Sequence, residues 1–341
     1  MKWLLRLAAS AASFAYVIAP ASAYTALFAF GDSLSDAGNV FVEDKGTSPL
    51  APYYDGHYSN GPTWVEDLSL KLGLGTLTPS LKGGDDFAFG GAQTGPTDIN
   101  PARSGSNDLP DQVAAYALAH PMPVSGALYT VDIGANDIRN ALEDYKSGAI
   151  TLTTVGTVVA QAETNTVDAI DELYALGARS LMFFGVQNLG NTPRFVGTPL
   201  QSLADQLSQS FDATVLGDLS GLDGLEVFDL KPAGMFAKIK ADPAAYGFVN
   251  VTQPCWTGNF TDPSSGSLCS PTLAGQDQYL YWDQAHPTAA GHLIIADVAY
   301  DTLTATPEPT TWAMMLIGFA GLGFAGWRAR RATAANPRLA A

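Results

Sequence analysis

The sequence FGDSLSD at residues 30–36 decides how the rest of the chain is interpreted. It follows the apolar run ALFAF at residues 26–30, which predicts a buried strand because it is short, rich in aromatic residues and ended by glycine. Ser33 then stands on the turn that leaves the carboxyl end of this strand. In open α/β sheets that edge is where ligands bind and reactions take place. A Gly-Asp-Ser sequence alone is more often an ordinary turn, so a functional interpretation depends on further motifs.

Three motifs further along the chain provide that context. They are FAFGGA at residues 87–92, DIGAND at residues 132–137 and WDQAHP at residues 282–287. In this order, after GDSL, they resemble the four sequence blocks of the GDSL, or SGNH, family of serine esterases and lipases. The resemblance spans residues 26–303. The sequences GPTWVE at residues 61–66 and NLGNTP at residues 188–193 are similar to accessory features of its secreted branch of phospholipases, lecithinases and hemolysins.

The resemblance implies a catalytic triad whose members are far apart in the sequence. Ser33 matches the nucleophile of the family, His286 its base and Asp283 the carboxylate that orients the base. A serine hydroxyl is a weak nucleophile at neutral pH and needs a base within hydrogen-bond reach. An aspartate three residues before the histidine can hold the imidazole through its other nitrogen. We therefore expect these three residues to act together.

The resemblance also assigns the donors that stabilise the oxyanion of the tetrahedral intermediate. They are the backbone N–H of Ser33, the backbone N–H of Gly91 and the side-chain amide of Asn136. Glycine suits the second position because a backbone must approach the ligand with no side chain in the way. Gly90 is adjacent, and the sequence leaves open which of the two glycines provides the donor.

Other polar residues near these motifs are given supporting or neutral roles. Asp32 and Asp36 are expected to hold the nucleophile turn through hydrogen bonds to backbone groups. His57 and Tyr58 lie in a long irregular loop, and they either line the substrate entrance or are ordinary surface aromatics. His292 is predicted to lie on the surface of a helix.

Alternating strand and helix patterns predict the fold. Strands are predicted at residues 26–30, 87–89, 127–133, 181–186 and 225–230, and helices at residues 63–72, 109–120, 154–176, 202–219 and 287–303. This alternation predicts an α/β fold, a three-layer α/β/α sandwich around a five-stranded parallel sheet. The resemblance supplies the strand order 2-1-3-4-5, the flavodoxin-like order of SGNH hydrolases.

The segment at residues 235–278 interrupts this alternation and contains the only two cysteines, Cys255 and Cys269. In an exported chain an even pair of cysteines most simply forms one disulfide. We therefore predict an insertion pinned by a bond between them, which either forms a wall or lid of the acyl pocket or is purely structural. Two cysteines without a neighbouring histidine are too few for a zinc site, and neither a metal nor a cofactor is expected.

Both ends of the chain are typical of targeting segments. Residues 1–23 combine basic residues, an apolar centre and a small-residue cleavage sequence, which predicts a signal peptide. Residues 306–341 resemble the PEP-CTERM sorting tail of Gram-negative bacteria, which exosortase systems process at the membrane. The apolar run at residues 312–327 is then a transmembrane segment that anchors the chain transiently in the inner membrane. This leaves residues 24–305 as the hydrolase domain.

The formal net charge of −16, from 17 Lys and Arg against 33 Asp and Glu, argues against nucleic acid as a partner, because phosphate backbones require a basic surface. With the resemblance, the sequence predicts an exported serine hydrolase, at the cell surface or outside the cell, that cleaves lipid or short-chain acyl esters through an acyl-enzyme on Ser33. A polysaccharide O-deacetylase and a lipid acyltransferase would use the same triad. A catalytically silent surface protein with this fold is the alternative from another class.

Overall fold

The structure is a computed structural model, and it describes residues 24–96, 107–262 and 264–304. The predicted signal peptide at residues 1–23 and the predicted tail at residues 306–341, with its apolar run, lie outside the described residues. Within the three described ranges, no helix combines the length and the apolar character that crossing a bilayer requires.

Four parallel strands form the central sheet. In their order across the sheet they are β1 (Ala26–Gly31), β2 (Ala127–Asp132), β3 (Ser180–Phe183) and β4 (Glu226–Asp229). β2 is buried along its whole length and β1 along all but its first residue, as parallel strands covered on both faces require. Because the register pairs Gly31 with Asp132, β1 and β2 end together at one edge of the sheet.

One of the five predicted strands, at residues 87–89, does not form as a regular strand. This segment does lie beside β1, where the predicted order places it. The N–H of Phe87 donates to the carbonyl of Ala29 at 2.7 Å, and the N–H of Phe89 donates to the carbonyl of Gly31 at 3.1 Å. The α/β fold around a parallel sheet is confirmed, and the strand number is corrected from five to four.

Side chains explain why residues 87–89 stay irregular. The N–H of Ala88 donates to the carboxylate of Asp86 at 3.0 Å, and the carbonyl of Ala88 accepts from the side-chain amide of Asn39 at 2.9 Å. Local hydrogen bonds of this kind offer the backbone an alternative to a strand ladder. The segment is therefore fixed at the sheet edge by side chains as well as by β1.

Helices surround the sheet. Among the described residues they are α1 (Asn39–Glu43), α2 (Trp64–Lys71), α3 (Leu109–Ala119), α4 (Ala135–Ser147), α5 (Leu152–Ala175), α6 (Gln201–Leu219), α7 (Pro232–Ala241), α8 (Leu273–Gln276) and α9 (Ala289–Thr304). The five predicted helices correspond to α2, α3, α5, α6 and α9, within two residues at every end. The sequence patterns do not predict the other helices, α1, α4, α7 and α8. α4 begins directly after Gly134, inside the motif at residues 132–137.

The main core lies between the sheet and the helices α3, α4, α5 and α6, where Phe30, Tyr129 and Phe183 point from the strands into one buried cluster. Phe184 is one residue past Phe183 and therefore faces the opposite side. There its ring stacks on Trp64 of α2, with 5.7 Å between ring centroids. Both faces of the sheet are thus covered, in agreement with a three-layer arrangement.

The segment that interrupts the alternation, residues 235–278, contributes β5 (Asn250–Pro254) to a small second sheet, in which β5 runs parallel to β6 (Tyr279–Tyr281), the strand that directly follows the segment. The predicted disulfide between Cys255 and Cys269 is present. The loop that it closes, residues 255–269, directly follows β5 and is called the disulfide segment below. The N–H of Cys255 donates to the carbonyl of Tyr281 at 3.0 Å, so the disulfide segment is bound to the end of β6.

Candidate active site

Gly31 allows β1 and β2 to stay adjacent up to their carboxyl ends. Its φ of +147° is one that L side chains rarely adopt, and a Cβ there would lie 2.1 Å from the carbonyl oxygen of Asp132. The N–H of Asp32 donates to the same carbonyl at 3.0 Å. The turn that carries Ser33 is therefore fixed against the end of β2.

The structure brings Ser33, Asp283 and His286 into hydrogen-bond contact, although 253 positions separate the serine from the histidine. The Oγ of Ser33 lies 2.8 Å from the Nε2 of His286. The Nδ1 of His286 lies 2.8 Å from each carboxylate oxygen of Asp283. These distances suit proton transfer from the serine to the imidazole and a bond from the imidazole to the carboxylate.

Asp283 is held ionised in spite of its burial. The carboxylate also accepts the backbone N–H groups of Ala285 and His286, at 2.9 Å each. Burial raises the pKa of Asp283, but the charge of His286 and these hydrogen bonds outweigh burial and lower the pKa to about 2. Asp283 is therefore a carboxylate at any pH near neutrality.

Two residues that the sequence analysis did not single out support this side of the site. The hydroxyl of Tyr53 donates to the Oδ2 of Asp283 at 2.7 Å. The side-chain amide of Gln187 donates to the carbonyl of Ala285 at 2.9 Å, and its own oxygen is buried without a partner among the described residues. Tyr53 is one of several tyrosines in its loop, and no pattern in the sequence distinguishes it from the others.

The two candidate glycines differ in what their N–H groups bind. The N–H of Gly90 donates to the carboxylate of Asp36 at 2.8 Å. Among the hydrogen bonds of the described residues, none uses the N–H of Gly91 or that of Ser33. Gly91 has a φ of +84°, and a Cβ there would meet nothing within 4 Å. This geometry favours Gly91 over Gly90 as the donor.

Asn136 lies in the first turn of α4, close to both the nucleophile turn and the glycine segment. Its side-chain nitrogen donates to the carbonyl of Ala92 at 2.8 Å and to the carboxylate of Asp32 at 3.2 Å. α4 starts there because Gly134, with a φ of +104°, reverses the chain after β2. The structure thus places this amide at the carboxyl edge of the sheet, beside Ser33.

The acidic residues of the nucleophile turn bind backbone groups, as the sequence predicts. Asp32 accepts the N–H of Leu34 at 3.1 Å. Asp36 accepts the N–H of Gly38 at 2.7 Å as well as that of Gly90, so it joins the nucleophile turn to the glycine segment. Burial raises the pKa of Asp32 and that of Asp36 to about 6.

The aromatic loop contributes Tyr58 to the site but not His57. The ring of Tyr58 packs on that of His286, with 5.4 Å between centroids, and it also lies against Gly90. His57 is buried and lies 2.9 Å from a carboxylate oxygen of Glu66. It is therefore part of the structural core of the loop rather than of the substrate entrance.

The prediction that His292 lies on a helix surface is wrong. This residue is buried in α9, and its Nδ1 accepts the N–H of Trp64 at the start of α2 at 3.2 Å. Burial lowers the pKa of His292 to about 3, so its imidazole is neutral.

A cleft of about 380 Å³, part of it open to solvent, adjoins Ser33 and His286. Its walls come from the nucleophile turn, from the start of α4 and from residues 187–195. The disulfide segment is not among the lining residues. It contacts Tyr58 instead, since the ring centroids of Phe260 and Tyr58 are 5.8 Å apart. Of the two roles suggested for the insertion, the contacts of its described residues therefore favour the structural one over a wall or lid.

Within the part of the chain that the structure describes, no group of three or more His, Cys, Asp or Glu side chains is arranged to hold a metal ion.

Comparison with protein-family models gives two matches. The model described as GDSL-like Lipase/Acylhydrolase matches residues 27–299, and the model of the PEP-CTERM protein-sorting motif matches residues 305–331. The first match covers most of the chain and includes all four motifs, three of which contribute residues to the cleft. The second coincides with the tail that the sequence resembles.

Three curated relatives illustrate the range of similar proteins. Esterase EstA of Pseudomonas aeruginosa is 30% identical over 87% of this chain and 49% of its own length. The thermolabile hemolysin of Vibrio parahaemolyticus is 25% identical over 79% of this chain and 61% of its own length. The phosphatidylcholine-sterol acyltransferase of Aeromonas hydrophila is 23% identical over 81% of this chain and 89% of its own length. The chain thus spans about half of the esterase and about three fifths of the hemolysin.

Proposed function

We propose that this chain, which belongs to the GDSL-like lipase/acylhydrolase family, is a carboxylic ester hydrolase that works through an acyl-enzyme on Ser33. The observation that carries the proposal is the continuous hydrogen-bonded series from Ser33 through His286 to Asp283, with 2.8 Å at each contact. A purely structural surface protein has no need for this arrangement. The geometry therefore counts against the silent alternative.

The first step is the attack of the Ser33 Oγ on the ester carbonyl carbon. The Nε2 of His286 accepts the hydroxyl proton as the new C–O bond forms. Asp283 is ionised because its pKa is about 2, so it stabilises the imidazolium that results. When the tetrahedral intermediate collapses, the leaving alcohol takes the proton back from His286, and the acyl group stays on Ser33.

The carbonyl oxygen becomes negatively charged during this attack and needs donors that are already in place. We assign the N–H groups of Ser33 and Gly91, which have no partner among the described residues, and the side-chain amide of Asn136. The amide would keep its 2.8 Å bond to Ala92 and exchange its longer bond to Asp32 for the oxyanion. A water molecule, activated in turn by His286, then releases the acid by the same steps.

We further propose that the substrates are lipid or short-chain acyl esters. The cleft beside Ser33 is lined in part by Leu34, Leu189 and Phe195, which suits an apolar acyl chain. The similarity to an acyltransferase along most of that protein's length supports a second candidate, a lipid acyltransferase. That reaction differs only in the acceptor, because an alcohol instead of water attacks the acyl-enzyme.

We also propose that the protein is exported and sorted at the cell surface of a Gram-negative bacterium, with the match to the PEP-CTERM motif as support. In this proposal residues 1–23 are the signal peptide and residues 24–305 are the hydrolase domain. Residues 312–327 anchor the chain transiently in the inner membrane until an exosortase-type enzyme processes the tail.

A series of p-nitrophenyl esters of increasing acyl length tests the proposed activity on the exported protein. We expect hydrolysis that extends beyond the acetyl ester and is lost in Ser33→Ala, with a loss on the order of 10⁴-fold or more in kcat. The substitution removes only one oxygen atom, so thermal unfolding of the variant should match that of the parent. Activity on acetyl esters alone would indicate a deacetylase, and no activity on any ester would indicate a silent protein.

A further inference from the structure

Two arginines line the cleft beside Ser33 and His286, although the chain is strongly acidic. Arg139 lies on α4, about one helical turn after Asn136, and Arg194 lies in the segment at residues 187–195. The whole chain has 17 Lys and Arg against 33 Asp and Glu. A pair of cations at the carboxyl edge of the sheet is therefore unexpected in a protein with this overall charge.

Arg139 differs from Arg194 in having no carboxylate in direct contact among the described residues. It is partly buried, and within the described ranges it forms no ion pair. Its Nε and Nη2 lie 3.4 and 3.2 Å from the side-chain oxygen of Asn140, which is a neutral acceptor at long distance. Burial and the neighbouring Arg194 lower the pKa of Arg139. A guanidinium charge that is partly removed from water is energetically unfavourable unless an anion is in contact with it.

Arg194 is placed to share such an anion. Its backbone N–H donates to the carbonyl of Gln284 at 3.0 Å, next to the catalytic histidine segment. Its guanidinium pairs with Glu143 of α4, but about two fifths of each side chain is exposed to solvent. Exposed ion pairs contribute little free energy, so Arg194 can exchange or share this partner.

The acidic groups nearest to the two arginines have other partners. Asp32, which also lines the cleft, binds the N–H of Leu34 and the amide of Asn136. Asp283 binds His286 and Tyr53. The charges of Glu143, Asp32 and Asp283 offset part of the charge of Arg139, but among the described residues none of these carboxylates forms a direct ion pair with its guanidinium.

We propose that Arg139 and Arg194 form an anion-binding subsite for the substrate, which takes a phosphate or carboxylate group carried by the ester. This inference rests on the proposed ester hydrolysis at Ser33. Guanidinium groups bind both anions through two parallel N–H donors. Because both arginines and the nucleophile line one cleft, the anion and the scissile ester belong to the same substrate molecule. The enzyme thus selects acidic esters over neutral ones of equal acyl length.

Four six-carbon esters test the subsite and separate the two sources of negative charge. Mono-p-nitrophenyl adipate is compared with p-nitrophenyl hexanoate, which tests a carboxylate on the acyl side. Dihexanoyl phosphatidic acid is compared with dihexanoylglycerol, both as monomers in solution, which tests a phosphate on the alcohol side. The quantity measured is the ratio of kcat/KM for the acidic ester to that for its neutral counterpart.

We expect the parent protein to prefer the acidic ester in at least one of the two pairs. In Arg139→Gln that ratio should fall about 10- to 100-fold, the range typical of a lost hydrogen bond to a charged group. Arg194→Gln should lower it less, because Glu143 already offsets part of its charge. Arg139→Lys, which keeps the charge but not the planar pair of donors, should fall between the parent and Arg139→Gln.

Arg179→Gln is the matched control, because Arg179 precedes β3 at the opposite edge of the sheet and stacks on the ring of Tyr174. It should leave both ratios unchanged. A parent protein that hydrolyses the neutral esters without preferring either acidic one overturns the subsite alone, as does an unchanged ratio in both Arg139→Gln and Arg194→Gln. A parent protein that hydrolyses none of the four esters overturns the proposed function and the subsite together.

Discussion

The nucleophile side and the histidine side of the cleft are built in different ways. Ser33 follows β1, whose hydrogen bonds to β2 continue up to Gly31 and Asp132 at the edge of the central sheet. His286 follows β6, a three-residue strand in a sheet of only two strands. One side is thus an extension of the main core, whereas the other is assembled from a short excursion of the chain.

Different interactions compensate for this difference. On the nucleophile side the buried carboxylate of Asp36 ties the turn to the glycine segment. On the histidine side, the hydroxyl of Tyr53 donates to Asp283. The disulfide segment also binds this side, because the N–H of Trp256 donates to the carbonyl of Trp282 at 2.6 Å. We conclude that the triad depends on the central sheet for one partner and on a local, covalently closed structure for the other. Separate perturbations can therefore weaken each side.

After Ser33→Ala, the largest effect is expected on the nucleophile side, from Asn136→Ala. Loss of one oxyanion donor costs about 2.7 to 4 kcal/mol of transition-state stabilisation, so kcat should fall by about 10²- to 10³-fold while the fold persists. Steady-state kinetics on p-nitrophenyl hexanoate and thermal unfolding measure the two quantities. Asn107→Ala, in an exposed contact with Glu43, is the control. A rate within threefold of the parent would remove Asn136 from the site.

Removal of the disulfide, in a Cys255→Ser and Cys269→Ser double variant, should act on the histidine side. By the chain-entropy model, closing a loop of this length contributes roughly 3 kcal/mol to the free energy of unfolding. We also expect kcat to fall severalfold, because the segment bound to the end of β6 becomes less ordered. Urea unfolding and kinetics should show both losses. A drop in stability with full activity would mean that the disulfide does not position His286.

Tyr53→Phe should have a smaller effect on the same side. The variant keeps the ring in the aromatic cluster but removes the hydroxyl that donates to Asp283, which costs about tenfold in kcat at the low end of the range for charged acceptors. Tyr54→Phe is the matched control, because Tyr54 is an exposed neighbour in the same loop. Equal rates in both variants would show that Asp283 is oriented without Tyr53.

The smallest effect concerns the dependence of stability on pH, which should have opposite signs on the two sides. The pKa of Asp283 is lowered to about 2, so the folded state binds fewer protons than the unfolded state between pH 2 and 4, and stability rises with pH there. Burial raises the pKa of Asp32 to about 6, so between pH 4 and 6 its contribution makes stability fall as pH rises.

Urea unfolding at pH 2.5, 4 and 6 measures these contributions. Asp283→Asn should flatten the rise between the first two pH values, and Asp32→Asn should flatten the decline between the last two. If both substitutions change the slope of stability against pH in the same interval, the pKa values of the two carboxylates are not shifted in opposite directions.

The sequence predicted the parts of this molecule that depend on local patterns. Five helices were located within two residues, and the motif residues Ser33, Asp283 and His286 meet in the cleft. Tertiary contacts decide the rest. The sequence could not tell Gly90 from Gly91, because the distinction depends on which N–H group Asp36 binds. His292 is buried because α2 packs against its helix, and periodicity alone does not show which elements pack together.

The supporting residues are those that sequence patterns do not reveal. Tyr53, Arg139 and Arg194 lie outside the four motifs, and each matters only through a neighbour that is distant in the sequence. Tyr53 is 230 positions from the carboxylate that it binds. The segment at residues 87–89 shows the converse limit, because its pattern predicts a strand while the side chains of Asp86 and Asn39 bind its backbone.

The bond between Cys255 and Cys269 has a consequence for when the enzyme becomes competent. Cytosolic thiols are kept reduced, whereas disulfides form and persist after export. In a newly made chain the nucleophile side would then be complete, whereas the histidine side would lack its disulfide until the chain meets an oxidant. In the export that we propose, oxidation of one sulfur pair would couple arrival outside the cytoplasm to a severalfold rise in turnover.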